Sequence, residues 1–295
     1  MAEIVTRSLD AIINGENAFL LDIADRGLHY GDGVFTTLSI EGGVPIFLDR
    51  HLARLQDDAR RLDIPFPGIS VLRREVWQLC MANPDSVLKI ILTRGSAGRG
   101  YRYPEITHGT RILKAYPKPA YPSSVDMTGV KVRFCENRLG INLRLAGIKH
   151  LNRLEQVLAR AEWHGELIRE GLMLDYEGFL VEGIMSNVFL VQGEKVRTPL
   201  LDRCGVSGVQ RRLVLEAAQN LGLTVEEARI QPHQVFSADE IFLTNSIIGV
   251  WPVSQLEGKA IPLGEIAKKL SVCVAEMAAI DMATQQAIFA KEASC

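Results

Sequence analysis

Three prolines within eight residues, in the stretch "PKPAYPSS" from Pro117 to Ser124, set the first limit on what this chain can become. Proline fixes φ and lacks an amide hydrogen, so the stretch can neither continue a helix nor sit inside a strand ladder. It reads as a linker over residues 117–125, and each flank must then bury a core of its own. A chain of 295 residues is long enough to do so on both sides.

Before the linker, "VFTTLSI" (34–40) and "VPIFL" (44–48) are β-rich runs around Glu41-Gly42-Gly43, a hairpin signal. Asp49 is placed to cap a helix from Arg50 to Leu62, with Leu52, Leu55 and Leu62 on one face and Pro65 and Pro67 as its stop. A second helix near 71–81, the strands "VLKIILTR" and "RILKAY" and a glycine-rich loop between them complete a small N-terminal α+β domain, 1–116. Beyond the linker, "GVKVRFC" leads to a helix expected to turn Leu151, Leu154, Leu158 and Ala161 inward. Short strands follow ("LMLDY", "FLVE", "NVFLVQG", "KVRTP"), then a helix from about Val209, the strands "EIFLTN" and "VWPVSQL", and a helical tail after Leu263. The larger C-terminal domain, 126–295, is therefore expected to be a barrel-like sheet with outer helices.

Charge and cysteine usage exclude several classes. Lys and Arg total 33 against 35 Asp and Glu, with no cluster, so a nucleic-acid partner is not expected. The five cysteines, Cys80, Cys135, Cys204, Cys273 and Cys295, are scattered and form no Cys-x-x-Cys pair, which argues for a reducing, cytoplasmic protein without a disulfide framework or zinc site. Neither a secretory leader nor a membrane-spanning run is apparent. The six histidines stand alone, and Gly-x-Ser-x-Gly, His-Glu-x-x-His and phosphate-loop signatures are missing, so no metal is expected.

What remains is an amine, an acid, an arginine and glycine-hydroxyl loops, an inventory that suits pyridoxal phosphate. That cofactor needs an amine for a Schiff base, a carboxylate for its ring nitrogen and a cradle for a dianion. Lys149, between Ile148 and His150, is read at the entrance of a helix, where its charge opposes the helix dipole. Burial would free its lone pair. Glu182 ends the apolar run "GFLVE", Arg54 lies on the first long helix, and Val206 and Ser207 precede a helix start that favours anions. Each also has an ordinary reading: a surface lysine, a turn acid, a solvated helix charge and a plain N-cap.

Five stretches occur in an order that resembles fold-type IV pyridoxal-phosphate enzymes, the class IV aminotransferase family: "RGLHYGDGVFTT" (26–37), "HLARL" (51–55), "IKHLNRLEQVLAR" (148–160), "EGIMSNVFL" (182–190) and "GVSGVQRR" (205–212). The resemblance implies that Lys149 carries the cofactor, Glu182 pairs with its pyridine nitrogen and Arg54 binds its phosphate. It further implies phosphate donors at Val206, Ser207, Ser246 and Ile247, support from Asn187, and a homodimer. Family aminotransferases usually place a glutamate where Thr36 stands. "GDGVFTT", "RGSAGRGY" and "GIKHLNRLEQ" instead look like the aminodeoxychorismate lyase branch. That branch eliminates pyruvate from 4-amino-4-deoxychorismate and leaves 4-aminobenzoate for folate biosynthesis. The alternative is a D-amino-acid or branched-chain aminotransferase of the same fold. Under the lyase reading, Lys149 and Thr36 serve the reaction, and Thr37, Arg94, Arg99 and Tyr101 meet the substrate, which carries two carboxylates. The helix past about Ile261 is longer than the family needs.

Overall fold

The computed structural model describes residues 9–105, 107–121 and 128–292. Residues 122–125 of the expected linker and Cys295 lie outside the described residues, as does the very start of the chain. The chain forms two compact units. One holds the chain up to Pro119, Lys149–Asn152 and the residues from Ala278 onward; the other holds Ala120–Ile148 and Arg153–Met277. Lys149 and the end of the last helix are thus counted with the first unit, although the sequence places them beyond the linker.

The first unit contains β1 (Ala11–Ile13), α1 (Arg26–Tyr30), β2 (Gly33–Glu41), β3 (Val44–Pro45), α2 (Leu48–Arg61), α3 (Ile69–Ala82), β4 (Ser86–Thr93) and β5 (Thr110–Pro117). Its antiparallel sheet has the order β1-β5-β4-β2-β3. The hairpin turns at Gly42 and Gly43 with φ of 54° and 79°, as glycine permits. Only Val44 and Pro45 of "VPIFL" are strand, because Phe47 enters the left-handed region (φ 54°) and itself becomes the N-cap of α2. Asp49 is therefore in the first turn, not at the cap. Leu52 and Leu55 are fully buried.

The second unit is built on β6 (Val130–Phe134), α4 (Leu154–Arg160), β7 (Glu170–Leu174), β8 (Leu180–Gly183), β9 (Asn187–Gln192), β10 (Lys195–Pro199), α5 (Val209–Asn220), β11 (Thr224–Ala228), α6 (Pro232–Phe236), β12 (Glu240–Asn245), β13 (Gly249–Leu256) and β14 (Lys259–Ala260). The main path of its mixed sheet runs β11-β10-β9-β12-β13-β6-β7-β8, with β14 paired to β13. Leu180 of β8 also bridges to Ile230, just after β11, so the two edges approach and the sheet curls as a half-barrel. Val132, Leu172, Val188, Leu243 and Val253 form the centre of its core. The last helix, α7, runs Glu265–Glu292.

Helix α4 departs from expectation. Leu154, Val157 and Leu158 are 68%, 62% and 52% exposed, while Gln156 and Ala159 are the buried positions. Among the described residues no helix is long and apolar enough to cross a membrane.

Candidate active site

In the first unit, Lys149 does not stand at a helix entrance. It lies on an extended segment antiparallel to the start of β2: the Phe35 amide donates to Lys149 O (2.9 Å), His150 bridges to Val34, and the Leu151 amide donates to Gly33 O (2.9 Å). The Lys149 amide donates to Asp58 Oδ2 (3.2 Å). Gly33 makes the close approach possible, since a Cβ there would lie 2.5 Å from Leu151 Cδ1 and 2.6 Å from Leu92 O. The "GDG" motif thus holds the lysine's backbone, and the helix-dipole argument falls away. Lys149 Nζ lies 4.6 Å from the centroid of the Phe35 ring.

Strand alternation separates the two threonines of "FTT". Thr36 is buried; its Oγ1 accepts from Arg54 Nη2 (2.7 Å) and meets His51 Nδ1 at 2.7 Å. Its hydroxyl thus supports the arginine. Thr37 points to the other face with Phe35, opposite Lys89 in the β2–β4 register. Lys89, which the sequence reading passed over, also approaches the Phe35 ring, at 4.7 Å, and burial lowers its pKa.

His51, on α2, was likewise missed. Thr36 Oγ1, which accepts from Arg54, also faces His51 Nδ1, and which of the two donates depends on the tautomer of the ring. The other ring nitrogen, the buried Nε2 of His51, has no hydrogen-bond partner among the described residues. Burial, then the charges of Arg54 and Lys149, hold the His51 pKa well below 6.5. A histidine refused a proton in the folded state contributes nothing above 6.5 and lowers stability as pH falls below it. Denaturant titrations should show wild type losing about 1 kcal/mol more than His51→Asn over the first pH unit below that value. Equal losses would mean that His51 titrates normally.

Arg94 is engaged within the protein. Its guanidinium is buried, bonded to both oxygens of Asp32 (2.8 and 3.0 Å) and to the carbonyls of Leu62 (2.7 Å) and Asp63 (2.6 Å), so it serves as a structural anchor. Arg26 completes the cluster by bonding Asp32 (2.8 Å) and the carbonyls of Gly100 (2.9 Å) and Tyr101 (3.2 Å). The loop they fix presents Arg99 and Tyr101 to solvent, Tyr101 at 86% exposure.

In the second unit, Glu182 is the last residue but one of β8 and is buried; its Oε2 accepts from the Val206 amide (2.8 Å). Asn187 Nδ2 donates to Val206 O (2.9 Å), so the two side chains clamp the loop from both sides of one residue. Gly208 lets that loop pass Asn187, whose Oδ1 would lie 2.3 Å from a Cβ there. Glu170 shapes the intervening turn. Its buried carboxylate accepts from the amides of Gly171 (2.9 Å), Ile184 (3.2 Å) and Met185 (3.2 Å) and from Ser186 Oγ (2.8 Å). Burial raises its pKa, yet donors facing both oxygens leave no acceptor for a carboxyl proton and favour the anion.

Several backbone donors assigned from the sequence are already engaged. The Val206 amide is on Glu182, the Ser207 amide is on Gly147 O (3.0 Å), and the Ile247 amide is on Asn245 Oδ1 (2.8 Å). Ser207 Oγ accepts from Arg212 (3.3 Å), and Ser246 lies in the turn between β12 and β13. Helix α5, by contrast, starts at Val209 with no side-chain cap, so the first-turn amides of Val209 and Gln210 are its anion-ready donors.

The model of the amino-transferase class IV family matches residues 33–256. The chain belongs to this family. Its relatives include the aminodeoxychorismate lyase of Vibrio harveyi, 35% identical over 88% of this chain and 97% of that protein. A putative branched-chain-amino-acid aminotransferase of Methanocaldococcus jannaschii is 30% identical over 85% and 88%. The crystal structure of 4-amino-4-deoxychorismate lyase from Pseudomonas aeruginosa superposes with a TM-score of 0.87 at 44% identity, covering 90% of this chain and 98% of that one.

Class IV aminotransferase-family enzymes depend on pyridoxal 5'-phosphate, and the residues of this member fit it. Lys149 offers the amine, Glu182 a buried carboxylate of the sign a protonated ring nitrogen requires, and Arg54 a buried guanidinium for a dianion. In the second unit, the uncapped first turn of α5 is by itself a donor set of the kind phosphate prefers.

Proposed function

We propose that this enzyme is a pyridoxal-phosphate-dependent lyase that cleaves 4-amino-4-deoxychorismate to 4-aminobenzoate and pyruvate, a step that serves folate synthesis. The supporting observation is the face of β2 that carries Phe35 and Thr37. Two amines, Lys149 and Lys89, lie at 4.6 and 4.7 Å from the Phe35 ring, one for the cofactor and one for a carboxylate of a dianionic substrate. The likeness to two lyases over nearly their whole length supports the same reading.

When bound, pyridoxal phosphate supplies an electron sink for the carbon that loses its proton. The residues do the rest. Arg54, held by Thr36, would bind the phosphate, with the first-turn amides of α5, Ser207 and Ser246 as further donors; Glu182 would pair with the ring nitrogen, and Asn187 holds the Val206 loop in place. The Lys149 amine would take the proton from substrate C4. Enolpyruvate then leaves the neighbouring carbon and gains a proton to become pyruvate, and the ring becomes aromatic. Lys89, Thr37, Arg99 and Tyr101 orient the substrate's carboxylates and reacting region. We further assign a homodimer, for which the exposed apolar face of α4 is a suitable surface, and a cytoplasmic location.

The test is pyruvate release from enzymatically generated aminodeoxychorismate, with pyridoxal phosphate and no keto acid present. Pyruvate and 4-aminobenzoate in equal amounts are expected. No pyruvate, together with conversion of the bound cofactor to pyridoxamine phosphate by D-alanine or leucine, would assign the aminotransferase activity instead.

A further inference from the structure

The long C-terminal helix, to which neither the sequence nor the proposed reaction gives a role, carries a stripe of residues at a spacing of four: Asp281, Gln285 and Phe289. Such spacing puts them on one helix face. Each is engaged within the first unit. Asp281 Oδ2 accepts from the Phe47 amide at 2.6 Å. Gln285, 1% exposed, donates to Asp49 Oδ2 (3.1 Å) and accepts from Arg73 (3.4 Å), which also pairs with Asp49. Phe289 stacks on Trp77 of α3, centroids 4.0 Å apart.

The target of the first contact matters most. Phe47 is the N-cap of α2, a non-glycine residue in the left-handed region with no side-chain cap, and its carbonyl accepts the first helical bond, from the His51 amide (3.0 Å). Asp281 therefore satisfies a buried amide where the chain turns into α2, and its negative charge suits that end of the helix dipole. Arg54 lies seven residues on, roughly two turns along the same helix. Whatever fixes Phe47 fixes the axial position and rotation of the helix that presents Arg54.

We infer that Asp281 is a positioning residue for cofactor phosphate binding, with residues 278–292 acting as a strap that holds the start of α2 and through it Arg54. The inference rests on the assignment of Arg54 to the phosphate. Its signature is selective, because a strap acting through Arg54 affects a ligand with a phosphate and spares the same ligand without one.

The experiment titrates the apoenzyme with pyridoxal 5'-phosphate and with pyridoxal, following the absorbance of the bound carbonyl compound, for wild type, Asp281→Ala, Asp281→Asn, Phe289→Ala and Arg54→Ala. Asp281→Ala is expected to weaken pyridoxal 5'-phosphate about tenfold and leave pyridoxal unchanged, the tenfold being the scale of one lost, well-placed interaction. Asp281→Asn, which keeps an acceptor oxygen, is expected to recover most of that loss. Phe289→Ala, at the far end of the strap, tests the same selectivity if Asp281→Ala does not fold. If Arg54→Ala leaves the ratio of the two affinities at the wild-type value, the phosphate assignment itself fails. If Arg54→Ala collapses the ratio while the folded strap variants weaken both ligands equally or neither, the strap is merely structural and the inference is overturned.

Discussion

Replacing Lys149 with alanine is expected to reduce pyruvate release by about 10⁴-fold or more, the scale on which enzymes lose their covalent nucleophile. The fold should survive, because what holds the segment in place is backbone: the Lys149 amide on Asp58, its carbonyl on the Phe35 amide, and the flanking pair at Gly33 and Leu151. None of these needs the lysine side chain, which is half-buried beside Phe35. Thermal unfolding of the apoprotein should therefore move little, by about 0.5 kcal/mol at most. Lys149→Arg should be no better than alanine, since a guanidinium does not surrender its proton to become a nucleophile or a base. Single-turnover pyruvate formation separates these expectations from slow product release. Activity within tenfold of wild type in either variant would remove Lys149 from the chemistry.

The sequence carried local features better than partnerships. The hairpin at Gly42-Gly43, the long helix with Leu52 and Leu55 inward, and the helix start at Val209 are written in nearest-neighbour patterns, and the structure shows them. Residue types marked Lys149, Glu182 and Arg54 as candidates, and the order of the five stretches chose among their readings. Their surroundings were not legible, because those depend on residues far away in the chain. Arg94 looked like a loop-end cation until Asp32, 62 positions earlier, closed on it with two bonds. Lys89 looked like an ordinary strand lysine, and only the pairing of β4 with β2 sets it opposite Thr37. Parity along β2 was readable in principle. Thr36 and Thr37 must face opposite ways, and the face that holds Phe35 is the one that Lys149 joins. The α5 donors were readable too, since a helix starting at Val209 has its unbonded amides there and not at Val206. Helix α4 misled because its leucines follow a core-like period yet remain at the surface, and periodicity alone cannot tell a buried apolar face from an exposed one.

Glu182 is the position where charge and structure can be pulled apart. Its Oε2 accepts from the Val206 amide at 2.8 Å, so any variant that removes the acceptor also leaves a buried donor unsatisfied. Glu182→Ala should therefore lose about 1–3 kcal/mol of stability in addition to activity. Glu182→Gln keeps the shape and an acceptor for Val206, but replaces a negative charge with a neutral amide at the position proposed to pair with the ring nitrogen. Its kcat is expected to fall about 10³-fold, close to 4 kcal/mol of lost transition-state stabilisation, while stability and cofactor affinity stay near wild type. The ring nitrogen is the right place for such a split, because its proton is worth most when negative charge develops in the reaction and little in the resting complex. Val206, clamped by Glu182 and Asn187 and standing three residues before α5, gives the two variants a shared structural reference. Equal activity losses in the two variants, with stability lost only in alanine, would identify the charge as the catalytic quantity. A glutamine variant with wild-type kcat would leave Glu182 as a loop clamp and move the partner of the ring nitrogen elsewhere.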